Sequence, residues 1–330
     1  MDQPRVSVHI ITYNQASYIA DALEGALRQQ TDFGVEIVVG EDCSTDGTRE
    51  IVLDYRRRHP ERIRVITSER NVGIHANSRR TGEACRGKYL AFCEGDDYWT
   101  DPHKLQKQVD FLETHPGYSL CCHEVAIRCD GVREIALADR YVEFAGDTFS
   151  FEDAVRGHFI PTLSVVCWRE PAVHVPDWFT ECISGDIPME LLVLDRGLGY
   201  YLHERMGTKR DNPGSISLQP GRAAVATRSL LDMYRRMDAY LEGRHRKILH
   251  WKIACLSLKL ARQSLEARRV LPFLRHLSDS IWYDRTAFAE AARKRSPLRR
   301  GIQAVCRPDV MTRHVAPRGP RTREGIRNSG

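Results

Sequence analysis

Residues 89–99 read Tyr-Leu-Ala-Phe-Cys-Glu-Gly-Asp-Asp-Tyr-Trp. The apolar run Tyr89-Leu90-Ala91-Phe92-Cys93 is a buried strand, and Glu94-Gly95-Asp96-Asp97 sets two adjacent carboxylates where it runs out into a loop. Hard oxygen ligands there suit Mg²⁺ or Mn²⁺, which proteins usually hold through one or two carboxylates plus substrate phosphates. The next residues, Thr100-Asp101-Pro102-His103-Lys104-Leu105, read as a helix start, with Asp101 as N-cap and Pro102 at the first helical position. Taken alone, an Asp-Asp pair is most often a solvated turn. Strand, acidic loop and capped helix in succession instead mark the edge where open α/β sheets bind ligands.

Upstream, the same alternation repeats. Val6-Ser7-Val8-His9-Ile10-Ile11 is a first strand ending at Thr12-Tyr13-Asn14, followed by a helix from about Ala16 to Gln29 with Ile19, Leu23, Ala26 and Leu27 on one face. Val35–Val39 is a second strand ending at Glu41-Asp42, and Ser44-Thr45-Asp46-Gly47-Thr48 caps a helix whose Ile51, Val52 and Tyr55 face inward. Ile63–Ile66 is a third strand, and a helix near His75–Cys85 leads through Gly87 into the strand at 89–93. Short apolar strands alternating with amphipathic helices specify an α/β fold, a mostly parallel sheet with helices on both faces.

Downstream, Ser119–Cys129, Leu163–Trp168 and Gly199–Leu202 read as strands, and a helix follows Gly185-Asp186. Beyond Gly221 the character changes to long helical stretches, Leu230–Leu241, Ile248–Leu265 and Val270–Trp282. From Arg307 onward the composition is that of a disordered tail. Domains are therefore expected at 1–220, with halves 1–115 and 116–220, a basic helical extension at 221–306 and a tail at 307–330.

The net charge of +5 hides an asymmetry: residues 1–220 carry 24 Lys and Arg against 35 Asp and Glu, residues 221–330 carry 25 against 9. Such a basic segment suits an anionic partner (membrane phospholipid, a phosphorylated lipid acceptor or nucleic acid), and a solvated Arg-rich helical surface fits it equally well. The ten cysteines form no C-x-x-C pair, and the thirteen histidines show no H-x-x-x-H or H-E-x-x-H spacing, so zinc and disulfide scaffolds are not expected. No charged-then-apolar leader precedes Val6 and no run reaches the ~18–20 apolar residues of a membrane span. The expected setting is the cytoplasm, with at most peripheral contact at the inner face of the membrane.

The strand ends at Asn14, Asp42 and Asp97 belong to one sheet, so their loops can converge. Tyr13 and the backbone near Thr12 can pack on and hydrogen-bond a nucleobase, Asp42 can accept a base imide N–H or a ribose hydroxyl, Asp96 can reach ribose and Asp97 can bind metal. Singly, Thr12-Tyr13-Asn14 reads equally as a turn and Asp42 as a cap; their order and spacing together carry more.

With Val6-Ser7-Val8, Thr12-Tyr13-Asn14, Glu41-Asp42-Cys43-Ser44-Thr45-Asp46-Gly47-Thr48, Asn71-Val72-Gly73 and Gly87-Lys88-Tyr89 through Asp97, the chain resembles the family-2 glycosyltransferases over roughly residues 4–217. The resemblance implies the GT-A fold, a Rossmann-like nucleotide half joined to an acceptor half. It implies a nucleotide-sugar donor, most often a UDP-sugar, with Mg²⁺ or Mn²⁺. It also implies transfer with inversion to an acceptor hydroxyl, on a sugar or lipid-linked acceptor of a cell-envelope polysaccharide, glycolipid or glycoside. Nucleic acid is not implied. Asn14 and Asn71 are then expected at the nucleotide-sugar site. Family members supply the base from an acidic residue beginning a helix in the second half, which makes Asp186 the candidate, with Glu181 and Glu190 behind it and simple helix capping as the bland alternative. Where many relatives carry an Arg-Asn pair, this chain has Ser78-Arg79 followed by Arg80, so Arg79 or Arg80 is expected to take over phosphate or ribose contacts. Where relatives often carry Tyr-Arg-x-His, this chain has Thr208-Lys209-Arg210-Asp211, of which Lys209 or Arg210 can neutralise the leaving diphosphate.

Two other enzyme classes fit less well. A sugar-phosphate nucleotidyltransferase needs a Gly-rich basic loop after the first strand, and a dinucleotide oxidoreductase needs G-x-G-x-x-G there; Thr12–Ser17 offers neither. A non-catalytic nucleotide-sugar-binding or assembly module remains the alternative of a different kind.

Overall fold

The computed structural model describes residues 3–129, 133–136, 146–157, 160–211 and 223–287, together with Ala289. Strands β1 (Val6–Thr12), β2 (Val35–Glu41), β3 (Ile63–Ile66) and β4 (Tyr89–Glu94) run parallel in the order β3-β2-β1-β4. Helices α1 (Ile19–Leu27), α2 (Thr48–Arg58) and α3 (Ile74–Ala84) connect them. Because strand side chains alternate, Val6, Val8 and Ile10 of β1 and Tyr89, Ala91 and Cys93 of β4 share one face, where they pack on Ile19, Leu23 and Ala26 of α1. Each fully buried Ile or Leu there contributes about 1.5–3 kcal/mol. The register pairs His9 with Phe92 and Ile11 with Glu94, so these four residues point to the opposite face. Far from the acidic loop, that opposite face is fixed by a polar clamp. Ser7 Oγ donates to Glu36 (2.7 Å) and the Arg86 guanidinium to the same carboxylate (2.8 Å).

The second half changes strand direction. It contains β5 (Tyr98–Trp99), α4 (Lys104–Thr114), β6 (Tyr118–Cys129), β7 (Arg133–Ala136), β8 (Thr148–Phe149), α5 (Phe151–Arg156), β9 (Val166–Trp168), α6 (Arg169–Val173), α7 (Asp186–Leu194) and β10 (Leu198–Asp211). Among the described residues the sheet has ten strands, continuing from β4 in the order β9-β6-β10-β5. β9 enters antiparallel between β4 and β6. The result is a mixed sheet in which β6 and β10 again pair in parallel, while β9 and β5 run antiparallel to their neighbours.

Three expectations shift in detail. The strand expected at Leu163–Trp168 begins only at Val166, after a 3-10 turn Thr162–Ser164. The carbonyls of Leu163 and Ser164 are taken by Trp99 Nε1 and Gln108 Nε2, each at 2.8 Å, instead of by a strand partner. The short strand expected at Gly199–Leu202 runs on to Asp211. The helix expected from Pro102 begins at Lys104 with His103, not Asp101, at its N-cap; Asp101 accepts from the His103 N–H at 2.7 Å in the turn before it. Lys104 itself is fully buried with its ammonium 4.2 Å from the Trp99 ring centroid, and burial lowers its pKa to about 7.

Helices α8 (Ala223–Tyr240), α9 (Arg246–Glu266) and α10 (Val270–Tyr283) occupy the three expected helical stretches. On α9, Ile248, Ala254 and Leu258 are buried as expected and Leu265 is half-buried. The chain divides into two compact units between Lys252 and Ile253, so α8 belongs to the same unit as the sheet. The expected tail at 307–330 lies outside the described residues. Cys43, Cys85, Cys93, Cys121, Cys122, Cys167, Cys182 and Cys255 are free thiols. None of the helices among them is long and apolar enough to cross a membrane.

Candidate active site

The ends of β1, β2 and β4 meet at one edge of the sheet and are tied together there. Asn14, at a positive φ of 52° that Asn tolerates better than most residues, accepts at Oδ1 from the Thr45 N–H (2.9 Å) and donates its own N–H to Ser44 Oγ (3.0 Å). Asp46 accepts from the N–H groups of Ala16 (3.0 Å) and Thr48 (3.1 Å). The Ser-Thr-Asp-Gly segment therefore both starts α2 and braces the loop after β1. Thr12 is buried and Tyr13 beside it is 45% exposed, leaving its ring open to a flat ligand.

Asp42 is buried. Its carboxylate accepts from the N–H groups of Val72 (2.8 Å) and Gly73 (2.9 Å), holding the Asn71-Val72-Gly73 turn against the end of β2. Asn71 caps that turn through Gly73 N–H (3.0 Å). Of the two arginines, Arg80 is committed to structure, donating to the carbonyls of Thr67 and Glu41 at 2.9 Å each and to Asn77. Arg79 faces a pocket, paired with Glu83 (3.1 Å) and Asp177 (3.6 Å).

Gly95 fixes the acidic loop. A Cβ there would lie 2.4 Å from Gln15 Oε1 and 2.8 Å from Thr12 Oγ1, so only glycine lets the loop close onto the end of β1. Glu94, Asp96 and Asp97 bring carboxylate oxygens within 4.8 Å of one another. Asp97 Oδ1 accepts from the Arg210 N–H (2.8 Å), whereas Oδ2 is buried, receives no hydrogen bond and lies 4.0 Å from Lys209 Nζ. A buried carboxylate oxygen with no donor, beside two further carboxylates, fits a hard divalent cation. Burial raises the pKa of Glu94 and Asp97 above the usual carboxylate range. Burial works against the Lys209 ammonium, yet Asp97, Glu94, Asp96 and Asp186 together hold its pKa above the ordinary lysine value. The Arg210 guanidinium donates to the Asp96 carbonyl (2.9 Å) and lies 4.3 Å from the Tyr98 ring centroid, so it props the loop rather than facing a ligand.

Asp186 opens α7. It shares with Glu94 the wall of a pocket of about 740 Å³, counted with its open mouth, whose floor is His9, Leu90 and Phe92. Of the two other acids considered for the base, Glu181 is exposed and paired with Arg236 (2.6 Å). Glu190 is buried, and burial drives its pKa well above the carboxylate range. Asp96, Asp97 and Asp186 thus come together. Glu94, His9, His75 and Phe92 join them although spacing alone singles out none of these four; the register of β4 against β1 is what turns Glu94, Phe92 and His9 to one side.

Against known proteins, residues 7–168 match the family described as glycosyl transferase family 2. An uncharacterised protein of Mycobacterium tuberculosis is 38% identical over 224 residues, 68% of this chain and 58% of that protein. This chain thus spans well under two thirds of that relative's length. TuaG of Bacillus subtilis, named for teichuronic acid biosynthesis as a glycosyltransferase, is 31% identical over 234 residues, covering 68% of this chain and 86% of TuaG. Among solved structures, residues 1–349 of Staphylococcus aureus TarS in complex with UDP-GlcNAc superpose with a TM-score of 0.61 at 18% identity, covering 86% of this chain and 83% of that one. The mannosyltransferase PcManGT of Pyrobaculum calidifontis, in complex with GDP-Man and Mn²⁺, gives 0.52 at 17% identity, with coverage of 94% and 83%. Both share the fold.

Proposed function

The chain belongs to glycosyl transferase family 2, and on that premise we propose that it moves a sugar, with inversion, from a nucleotide donor to an acceptor hydroxyl in cell-envelope polysaccharide or glycolipid synthesis. A UDP-sugar is the expected donor. The observation that carries the reading is the donor-free Oδ2 of Asp97, buried in a three-carboxylate cluster that shares a pocket wall with Asp186 through Glu94.

Asp97, with Glu94 and Asp96, would hold Mg²⁺ or Mn²⁺, which when bound supplies positive charge to the departing diphosphate. Lys209, kept charged by the surrounding carboxylates, adds a second positive group at the same place. Asp186 accepts the proton of the acceptor hydroxyl as that oxygen bonds to the anomeric carbon and the bond to the diphosphate breaks on the opposite side. Tyr13 offers a face to the base, with Thr12 and Asn14 beside it. Asp42 and Asn71 shape the ribose-side loop and Arg79 reaches the mouth of the pocket.

Incubation with UDP-, GDP- and dTDP-sugars and Mn²⁺, with and without sugar acceptors, tests the reading. Nucleoside diphosphate is expected to be released from one donor class, to cease in EDTA and to return with Mn²⁺. Binding without any release would favour a non-catalytic module.

The proposal extends to peripheral membrane contact through the basic C-terminal region. On α10, Leu271 (80% exposed), Leu274 (48%) and Trp282 (76%) line one side of the helix, with Arg268, Arg269 and Arg275 close in sequence. Apolar Leu and Trp flanked by arginine suit the headgroup boundary, and each basic residue near anionic lipid contributes about 1 kcal/mol. Docking would concentrate the protein where lipid-linked acceptors reside. The full chain is expected to co-sediment with phosphatidylglycerol vesicles in a salt-sensitive way, and Leu271→Ser with Trp282→Ser to weaken binding at least several-fold. A folded sample that stays in the supernatant at low salt would overturn this part.

A further inference from the structure

We infer that the pocket behind Glu94 and Asp186 selects a donor sugar bearing a methyl substituent, such as a 6-deoxy carbon or an N-acetyl group, over a fully hydroxylated or anionic sugar. The inference rests on the transferase reading of the site and specifies its substrate class. With the diphosphate at the carboxylate cluster and the acceptor at Asp186, the anomeric carbon must lie between them. The sugar ring then extends into the pocket that both Glu94 and Asp186 border.

Most of its wall is apolar: Ile74, Phe92, Val173, Val175, Phe179 and Met189 line it, with the hydroxyls of Ser78 and Thr162 among them and the acids Glu94 and Asp186 at the side toward the carboxylate cluster. Two imidazoles stand on the wall: His9 Nε2 lies 3.0 Å from the Ser78 carbonyl, and the His75 ring packs edge-on against Phe179 with 6.1 Å between centroids. Burial holds both below the ordinary histidine pKa, so they are neutral at physiological pH. A hydroxyl pressed against such a wall loses its water without gaining a partner, at a cost of about 1–3 kcal/mol. A methyl group at the same place gains burial instead. An anionic sugar fares worse. Arg79 is occupied by Glu83 and Asp177, and the acids Glu94 and Asp186 stand on the wall.

Donor pairs matched in nucleotide separate the sugar from the base: UDP-GlcNAc, UDP-glucose and UDP-glucuronate; dTDP-rhamnose and dTDP-glucose; GDP-fucose and GDP-mannose. Nucleotide release with Mn²⁺ is the readout, beside direct binding of UDP, dTDP and GDP. Within the nucleotide class that binds, the methyl-bearing donor is expected to win by about 10- to 100-fold, the range a hydrophobic pocket achieves against an added hydroxyl. UDP-glucuronate should be poorest of the UDP set. The UDP and the 6-deoxy arms tell N-acetyl from 6-deoxy recognition. Val173→Thr, which places a hydroxyl in the wall at nearly constant volume, should lower the ratio several-fold, and Val175→Thr serves if the first fails to fold. A free nucleotide that binds while the hydroxylated or anionic donor is used equally well overturns the inference and spares the transferase reading. Binding of no nucleotide at all overturns both.

Discussion

Asp97→Asn is expected to lower sugar transfer by about 10²–10³-fold or more, the scale seen when a main electrostatic stabiliser of a leaving group is removed. The substitution is isosteric. It keeps an oxygen to accept the Arg210 N–H, so β10 stays docked on the acidic loop. What changes is the charge, and the buried Oδ2 becomes an amide that points its hydrogens at the Lys209 ammonium instead of offering a lone pair to a cation. Because burial already penalises the Asp97 carboxylate, the variant should melt no lower than the parent. Initial rates of nucleotide release, with a thermal melt alongside, check both statements. Undiminished activity in the variant, or full activity of the parent in EDTA, would sink the metal assignment.

Asp186→Asn is expected to remove transfer by about 10²–10⁴-fold, the usual contribution of a positioned general base, while donor affinity changes little. Asp186 begins α7 on the pocket wall and the carboxylate cluster lies on another segment, so loss should fall on kcat rather than on donor Kd. Isothermal titration with the donor, run beside the rate measurement, separates the two. If donor binding collapses while residual transfer survives, Asp186 belongs to the donor site. Glu181 and Glu190 would then be next, though the first is held by Arg236 and the second is buried in α7.

What was legible in the sequence was local. Strand and helix periodicity gave β1 to β4 and α1 to α3 within a few residues, because both faces of that parallel sheet are buried and the apolar pattern is uninterrupted. The acidic loop around Asp97 stands out in the sequence because it follows a buried strand and precedes a helix start, whereas an Asp-Asp pair alone is most often a solvated turn. The remainder depended on pairing between distant segments. The apolar pattern predicts only four residues of β10 because Arg205, Lys209 and Arg210 interrupt it; the strand is held by the β6 and β5 ladders instead. Arg79 and Arg80 are neighbours of one chemistry, and only the turn of α3 decides that one braces backbone carbonyls while the other meets the pocket. The burial of Lys104 under Trp99 has no signature in sequence, since a lysine in the first turn of a helix is ordinarily solvated. His9 is one of thirteen scattered histidines in the sequence, and only the register of β1 against β4 sets it beside Phe92.

The hydrogen bond from the Arg210 backbone to Asp97 spans 113 residues of chain. A ribosome adding about 5–20 residues per second needs on the order of ten seconds to cover that interval. During it, the first half has its acidic loop but neither the backbone donor that orients Asp97 nor the Lys209 charge beside it. A nascent chain, or one broken before β10, therefore carries the carboxylate cluster without the frame that orients it. The sheet order makes completion of the second half a condition for setting the Asp97 carboxylate, so under the proposed function a half-made molecule is poorly equipped to squander nucleotide-sugar on water.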